Sequence, residues 1–289
     1  MEKMNKEEKI QYANFLIEEI TSKFLQKGSP YVIMEGYEYL REVITLYAKQ
    51  SNLFESILIL LENSHAEEAY ILVRSMLNNA MLIDYLCNDN KNKLRYKNYM
   101  VQPLKSELAF LYDIERAIER GWVKNEYEGL KEKIKERENI LRQEGFVHKG
   151  EIDTRLLSIK GMALSDKLLF AYYMAFYREA SKYEHSDFSS LDIYRTPIDS
   201  DIPNTHAFIL DLSRTDTELE EKVLNLSISI YSLTFIKLLQ YFTKNHEHLI
   251  PEENKPYLAQ LAIIIWNKTR ENNFPFYTKF TEQEGETDG

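Results

Sequence analysis

Apolar residues recur along most of the chain at intervals of three and four positions. That spacing places them on one side of a helix with about 3.6 residues per turn, so the pattern predicts a mainly helical protein. Gly28 ends the first predicted helix, and Ser29 and Pro30 are typical of an N-cap and first turn for the second. The predicted helices cover about 6–27, 30–50, 52–63, 65–88, 91–120, 124–143, 165–185, 215–245 and 251–271.

The helical pattern stops between about 186 and 215, where Pro197 and Pro203 flank an acidic stretch. We expect a long irregular loop there. Within it, "LDIYRT" and "HAFILDL" are rich in β-branched and aromatic residues, which favours a small β-hairpin. The predicted fold class is therefore all-α, a multi-helix bundle with an irregular loop that can hold one hairpin.

The chain contains no obvious linker, and we predict a single helical domain over 1–280. Its parts are N-terminal helices (1–63), a bundle that bears the candidate motifs (64–190) and C-terminal helices (216–275). The tail at 281–289, "TEQEGETDG", lacks residues that form a core and is expected to be disordered.

Composition narrows the possible functions. The low content of Gly (9) and Pro (7) agrees with long helices, and the net charge of −10 argues against a broad surface for nucleic acid. Any contact with a polyanion must then be local. A single cysteine, Cys87, excludes an intrachain disulfide and a cysteine-rich zinc module. The first residues lack the apolar core of a signal peptide, so we expect a cytoplasmic protein.

Two further patterns argue against a membrane span and a metal site. The run "VLNLSISIYSLTFIKLLQYF" contains asparagine, lysine and serines, which favours a buried helix over a membrane span. His246 and His248 in "NHEHL" are two positions apart and would point to different sides of a helix. We therefore assign no membrane anchor, no metal ligand and no cofactor.

The stretch "YREASKYEHSD" (177–187) ends a predicted helix and carries Arg178 and His185 seven positions apart. On a helix that separation returns to within about 20° of the same direction after a rise of roughly 10.5 Å, so the two side chains share one stripe. The pair is expected to face away from the core, because the opposite side carries Leu169, Phe176, Ala180 and Tyr183.

A second polar stripe lies on the helix at 65–88. An arginine in this otherwise apolar helix, Arg74, is costly to bury unless it is paired, and Glu67 in the same stripe is a candidate partner. We hypothesise that the two stripes converge on one cleft that brings Arg74 near Arg178 and His185. The residues expected to bind substrate or support the site are Glu67, Tyr70, Arg74, Asn78, Glu179 and Tyr183.

Arg178, Glu179 and His185 in "REASKYEH" resemble the signature of the HEPN superfamily (higher eukaryotes and prokaryotes nucleotide-binding), at the long end of its Arg-to-His spacing. The stretches "YILVRSMLNNAMLIDYL", "RYKNYM" and "YREASKYEH" also resemble an uncharacterised, all-helical bacterial family of unknown function over roughly 50–190. This chain departs from that family at Asn78, where an acidic residue is common, so an acid role does not transfer to it.

The HEPN resemblance implies a metal-independent endoribonuclease, with a role in bacterial stress or phage defence. His185 would transfer a proton, and Arg178 would hold a phosphate and stabilise its developing charge. HEPN-like nucleases pair two motifs across a dimer interface, and the part-apolar stripe around Met174 agrees with a homodimer. The implied partner is RNA or a nucleotide at a local site.

Other interpretations stay open. Arg178 and His185 also fit an exposed stripe or contacts that tie down the loop at 186–215. Glu67, Arg74 and Asn78 also fit a buried network that fixes helix packing. The alternative function is a non-enzymatic helical module that binds a protein, a nucleotide or a small ligand.

Overall fold

A computed structural model describes residues 3–89, 93–124, 127–185, 191, 194–210 and 216–275. In these ranges the regular structure is helical apart from two short β-hairpins, which confirms the predicted all-α class. The helices are α1 (Lys6–Glu19), α2 (Tyr39–Glu62), α3 (Ala66–Cys87), α4 (Leu94–Met100), α5 (Gln102–Glu119), α6 (Leu130–Gln143), α7 (Ile159–Ala163), α8 (Lys167–Tyr172), α9 (Arg178–Glu184), α10 (Thr217–Asn245) and α11 (Lys255–Glu271).

The connection after the first helix differs from the prediction. A π-helical turn, Ile20–Phe24, extends α1, and the chain then stays non-helical until Tyr39. Gly28 and Gly36 have φ values of 88° and 90°, a left-handed conformation that glycine adopts without strain. The helix start predicted at Ser29 and Pro30 is wrong, because the left-handed backbone at Gly36 cannot belong to a right-handed helix over 30–50.

Helix α2 also merges two predicted helices into one. It runs from Tyr39 to Glu62 through the expected break near residue 51. The Ser51 hydroxyl donates to the Tyr47 carbonyl at 3.2 Å and contacts the Tyr231 hydroxyl at 2.8 Å. Because these buried partners satisfy the serine inside the helix, it does not end the helix.

The strands form two antiparallel pairs. The first, β1 (Val147–His148) with β2 (Glu151–Ile152), lies between the helices predicted at 124–143 and 165–185. The second, β3 (Arg195–Ile198) with β4 (Ala207–Leu210), pairs Arg195 with Leu210 and confirms the small hairpin expected within 186–215. The disordered tail expected at 281–289 lies outside the described residues.

The described residues divide into two compact units, and the single domain expected from the sequence stays a prediction. One unit comprises Met1–Cys87 and Ala163–Gly289. Its core is built around α2, α3 and α10, where the Tyr47 and Tyr231 rings stack at 5.2 Å and the Tyr47 hydroxyl donates to the Tyr231 carbonyl.

Helix α10 begins at Thr217, close to the start predicted near residue 215. The carboxylate of Asp216 accepts from the Leu219 amide at 3.0 Å and is the N-cap. In the part of the chain that the structure describes, α10 is long and apolar enough to cross a membrane, but most of its apolar stretch is buried inside the protein.

The second unit, Asn88–Met162, contains α4 to α6, the first hairpin and all of α7 except its last residue. Residue Val101 separates α4 from α5, so the single helix predicted over about 91–120 is interrupted two residues before Pro103. Helix α6 begins after Gly129 rather than near residue 124. Leu130, Ile134 and Leu141 of α6 are buried in a core with Leu108 and Leu111 of α5.

Candidate functional site

The helix that carries Arg178 and His185 begins as the sequence predicts. Asp166 is its N-cap and accepts from the Leu169 amide at 2.9 Å. The same carboxylate accepts from the Lys237 ammonium of α10 at 2.7 Å. This side-chain contact attaches the start of α8 to the core helix of its unit.

A π-helical turn, Tyr173–Tyr177, joins α8 to α9. Such a turn adds one residue to the helical repeat and rotates the following helix by roughly the angle of one residue. The buried residues of this segment are Leu169, Tyr172, Tyr177 and Ala180. The intervals between them are three, five and three residues, and the five-residue interval spans the π-helical turn. In a regular helix, Met174 and Arg178 would lie on one straight stripe with residues of α8. The π-helical turn displaces them from that stripe.

Arg178 and His185 lie on the outward side of α9, opposite the buried Ala180, as predicted. The Arg178 side chain is exposed, and the His185 side chain is 70% exposed at the C-cap of the helix. The Nε2 atom of His185 lies 3.6 Å from Oε2 of Glu184. Both candidate catalytic groups are therefore open to a large ligand.

Arg74 on α3 is paired with Glu184 rather than with Glu67. Its Nη1 contacts Oε2 of Glu184, and its guanidinium lies 4.9 Å from the centre of the Tyr177 ring. The predicted pairing fails because seven residues along a helix separate Glu67 from Arg74 by roughly 10.5 Å. Nε of Arg74 is buried and has no hydrogen-bond partner among the described residues.

Glu67 has a different contact. It accepts a hydrogen bond from the hydroxyl of Tyr194, the residue that precedes β3. Burial raises the pKa of the Glu67 carboxyl, although the Tyr194 hydrogen bond opposes this. The same hydrogen bond, with burial, raises the pKa of Tyr194 to about 12. The contact attaches the base of the β3–β4 hairpin to the first turn of α3.

Glu179 is the centre of a polar contact among three helices. It accepts from the fully buried Tyr70 hydroxyl of α3 at 3.1 Å. It also accepts from the Lys222 ammonium of α10 at 2.6 Å on each carboxylate oxygen. Burial and then the Glu179 charge raise the pKa of Tyr70. Sequence reasoning missed Lys222, because one lysine near the start of a long helix carries no local signal.

Of the remaining predicted site residues, Tyr183 contacts α3 and Asn78 lies on α3. The Tyr183 ring packs 5.4 Å from the Tyr70 ring, and burial followed by the Glu179 charge raises the pKa of Tyr183. Asn78 is half-buried, and its Oδ1 has no hydrogen-bond partner among the described residues. Asn78 therefore lies on the same stripe without a demonstrated role.

A family model described as a family of unknown function, DUF5677, matches residues 42–201. The chain belongs to this family. The match agrees with the uncharacterised family expected from the sequence over roughly 50–190. Neither a search of curated proteins nor a search of solved structures found a match.

The DUF5677 region contains every predicted site residue, and its two polar stripes meet only in part. The α3 stripe contacts the inward side of α9, through Glu179, Tyr183 and Glu184, whereas Arg178 and His185 lie on the outward side. Glu184 connects the two sides. Within the described ranges, no group of three or more His, Cys, Asp or Glu side chains is placed to hold a metal ion.

Proposed function

We propose that the chain is a HEPN-like, metal-independent endoribonuclease in which Arg178 and His185 act on RNA. The observation that carries the proposal is the exposure of both side chains on the outward side of α9. The inward side of this helix is held to α3 and α10 by Glu179 and Glu184. An RNA strand needs reactive groups that are exposed and rigidly supported, and this helix offers both.

Metal-independent cleavage of the RNA backbone needs a general base, a general acid and a cation that contacts the phosphate. A histidine such as His185 takes the proton from a ribose 2′-hydroxyl, and the 2′-oxygen then attacks the adjacent phosphorus. The bond from phosphorus to the 5′-oxygen breaks, and a second histidine returns a proton to that oxygen. Arg178 pairs with the phosphate oxygens while their charge develops. The products are a 2′,3′-cyclic phosphate end and a 5′-hydroxyl end.

A homodimer is part of the proposal because one copy of the motif supplies one histidine. Two copies that face each other would supply the base and the acid. Met174, 47% exposed on the π-helical turn before Arg178, provides apolar surface beside the motif. RNA must approach a chain of net charge −10, so binding is expected locally, at the Arg178 side chains of the two copies. The resemblance implies a cytoplasmic stress or phage-defence role for such an enzyme.

The test is cleavage of a mixed cellular RNA pool by the purified protein in the presence of a chelator. Arg178→Ala and His185→Ala are compared with wild type and with Arg142→Ala and His148→Ala, exposed residues of the other unit. Wild type and both controls should leave cyclic phosphate ends. The two site variants should cut about 10²–10⁴-fold more slowly at an unchanged melting temperature.

Cleavage by His185→Ala at the wild-type rate would overturn the proposal. If the wild type leaves RNA intact under all conditions, the non-enzymatic binding module becomes the better description of this fold. Thermal stabilisation by a nucleotide that is lost in Arg178→Ala but kept in His185→Ala would support that second function.

A further inference from the structure

An exposed tryptophan follows the end of α5 in the second unit. The Trp122 amide donates to the Ala117 carbonyl at 2.9 Å, and the Gly121 amide donates to the carbonyl of residue 118 at the same distance. With Gly121 at a φ of 70°, these bonds form a Schellman motif, in which the residue at the Trp122 position often packs on the preceding helix. Trp122 is instead 71% exposed. The motif therefore fixes the backbone at Trp122 while the ring is open to a partner.

Cations accompany this ring. The Arg120 guanidinium lies 4.8 Å from the centre of the Trp122 ring, a cation–π contact. Lys124 follows two residues after the ring, and all three side chains are exposed. The segment 120–124, "RGWVK", contains two cations and no acid, and Glu119 before it lines a cavity beside the start of α6. Single strands of nucleic acid bind to such combinations, because bases stack on aromatic rings while phosphates pair with cations.

The charge of the chain is divided unevenly between the two units. The second unit, 88–162, has 16 lysines and arginines and 13 aspartates and glutamates, a net charge of +3. The first unit has 20 and 33, a net charge of −13. A polyanion is therefore attracted to the second unit and repelled by most of the first. This charge complementarity favours a nucleic acid over an uncharged protein surface as the partner of Trp122.

We propose that Trp122, Arg120 and Lys124 form a second contact for single-stranded RNA, in which a base stacks on the indole ring and neighbouring phosphates pair with the two cations. This inference rests on the proposed function, which identifies RNA as the polyanion. The second unit would hold the strand, whereas Arg178 and His185 of the first unit would cut it. If Trp122 only packs against Arg120, removing its ring leaves the affinity for RNA unchanged.

The experiment measures by fluorescence anisotropy how tightly the full chain binds a labelled oligoadenylate of about 12 nucleotides. The probe carries 2′-O-methyl groups, so its 2′-oxygens have no proton to lose and the proposed reaction cannot cut it. Trp122→Ala should bind the probe about tenfold more weakly, because one stacked base is lost. Trp122→Phe keeps a ring for stacking and should retain most of the affinity. The matched control is Phe110→Ala, which removes an exposed ring from α5 and should bind like wild type.

A salt titration with the same probe tests the cations. Arg120→Gln and Lys124→Gln should each reduce the slope of log affinity against log salt by about 0.7, the value for one phosphate of a single strand. Lys133→Gln, which removes an exposed cation from α6, should keep the wild-type slope. Unchanged slopes for both site variants would overturn the inference, and this titration decides the question should Trp122→Ala fail to fold.

Equal affinity of Trp122→Ala and wild type would also overturn the inference. A wild type that does not bind the probe would do the same, and Trp122 would then be a contact for a protein. The probe separates this inference from the proposed function. If wild type binds the probe through Trp122 but leaves natural RNA intact, the second contact stands and the proposed cleavage fails. If wild type cuts RNA and Trp122→Ala binds the probe equally well, only the second contact fails.

Discussion

Lys222 of α10 donates to both carboxylate oxygens of Glu179 on α9, at 2.6 Å each. Because Glu179 also accepts from Tyr70, one side chain joins three helices. The Lys222 and Glu179 side chains are 35% and 34% exposed, so solvent screens the pair. The Lys222–Glu179 ion pair therefore fixes the orientation of α9 and adds only a small amount to the free energy of unfolding.

The first prediction concerns this contact. Glu179→Gln should lower the free energy of unfolding by about 1 kcal/mol, because glutamine still accepts from Tyr70 but no longer neutralises Lys222. Urea unfolding followed by circular dichroism measures the change. Glu55→Gln, on the exposed side of α2, should stay within about 0.5 kcal/mol of wild type. Equal urea midpoints for the two variants would contradict the prediction.

The second prediction is a pH dependence at Glu67. The folded-state pKa of this carboxyl is raised above its ordinary value of 4.5 by burial. The native state then binds the proton more tightly than the unfolded chain, so the Glu67 contribution to stability falls as pH rises through the interval from 4.5 to the raised pKa. Glu67→Gln keeps an acceptor for Tyr194 and removes the ionisation.

The measurement is the difference in unfolding free energy between Glu67→Gln and wild type from pH 4.5 to pH 7. The difference should change in favour of the variant as the pH rises. Glu55→Gln, the same replacement at an exposed position on α2, is measured in parallel as the control. A constant difference for Glu67→Gln would mean that burial does not perturb this carboxyl.

The third prediction concerns His246, which is buried after the end of α10. Its Nε2 atom lies 3.0 Å from the Tyr39 hydroxyl, and burial lowers its pKa below the ordinary 6.5. The unfolded chain then binds this proton more readily, so stability should fall as the pH drops below about 6.5. His246→Gln should remove that part of the pH dependence in thermal unfolding, whereas the exposed His148→Gln should retain it.

The helices could be predicted because a repeat of buried positions is a local property of the chain. Helix α10 illustrates this, since its apolar run is buried as expected. The helix start predicted between Gly28 and Gly36 was wrong although it also rested on a local pattern. Ser29 and Pro30 favour a helix start, but the positive φ of Gly36 interrupts any helix there, and the spacing of the apolar residues does not show that.

The candidate site was predicted less completely because its partners come from distant parts of the chain. Arg74 was predicted to pair with Glu67 because the two opposite charges lie on the same helix. In the structure, α9 packs on α3 and brings Glu184 to Arg74. The π-helical turn in "YMAFY" is a second cause, since it changes which side of the helix each residue occupies. Neither effect leaves a sign in the spacing of the residues.

The fourth prediction tests whether the outward side of α9 joins two copies of the chain. Met174→Asp places a charge on apolar surface beside Arg178, so it should convert a dimer into a monomer by light scattering and abolish RNA cleavage without lowering the melting temperature. The control is Ile263→Asp, which also places a charge at an exposed apolar position, but on α11. It should change neither the oligomeric state nor the rate of RNA cleavage. If each site needs one His185 from each copy, mixing wild type with excess His185→Ala should reduce cleavage per wild-type chain toward zero. Cleavage by a monomeric Met174→Asp would show that one copy of the motif is sufficient.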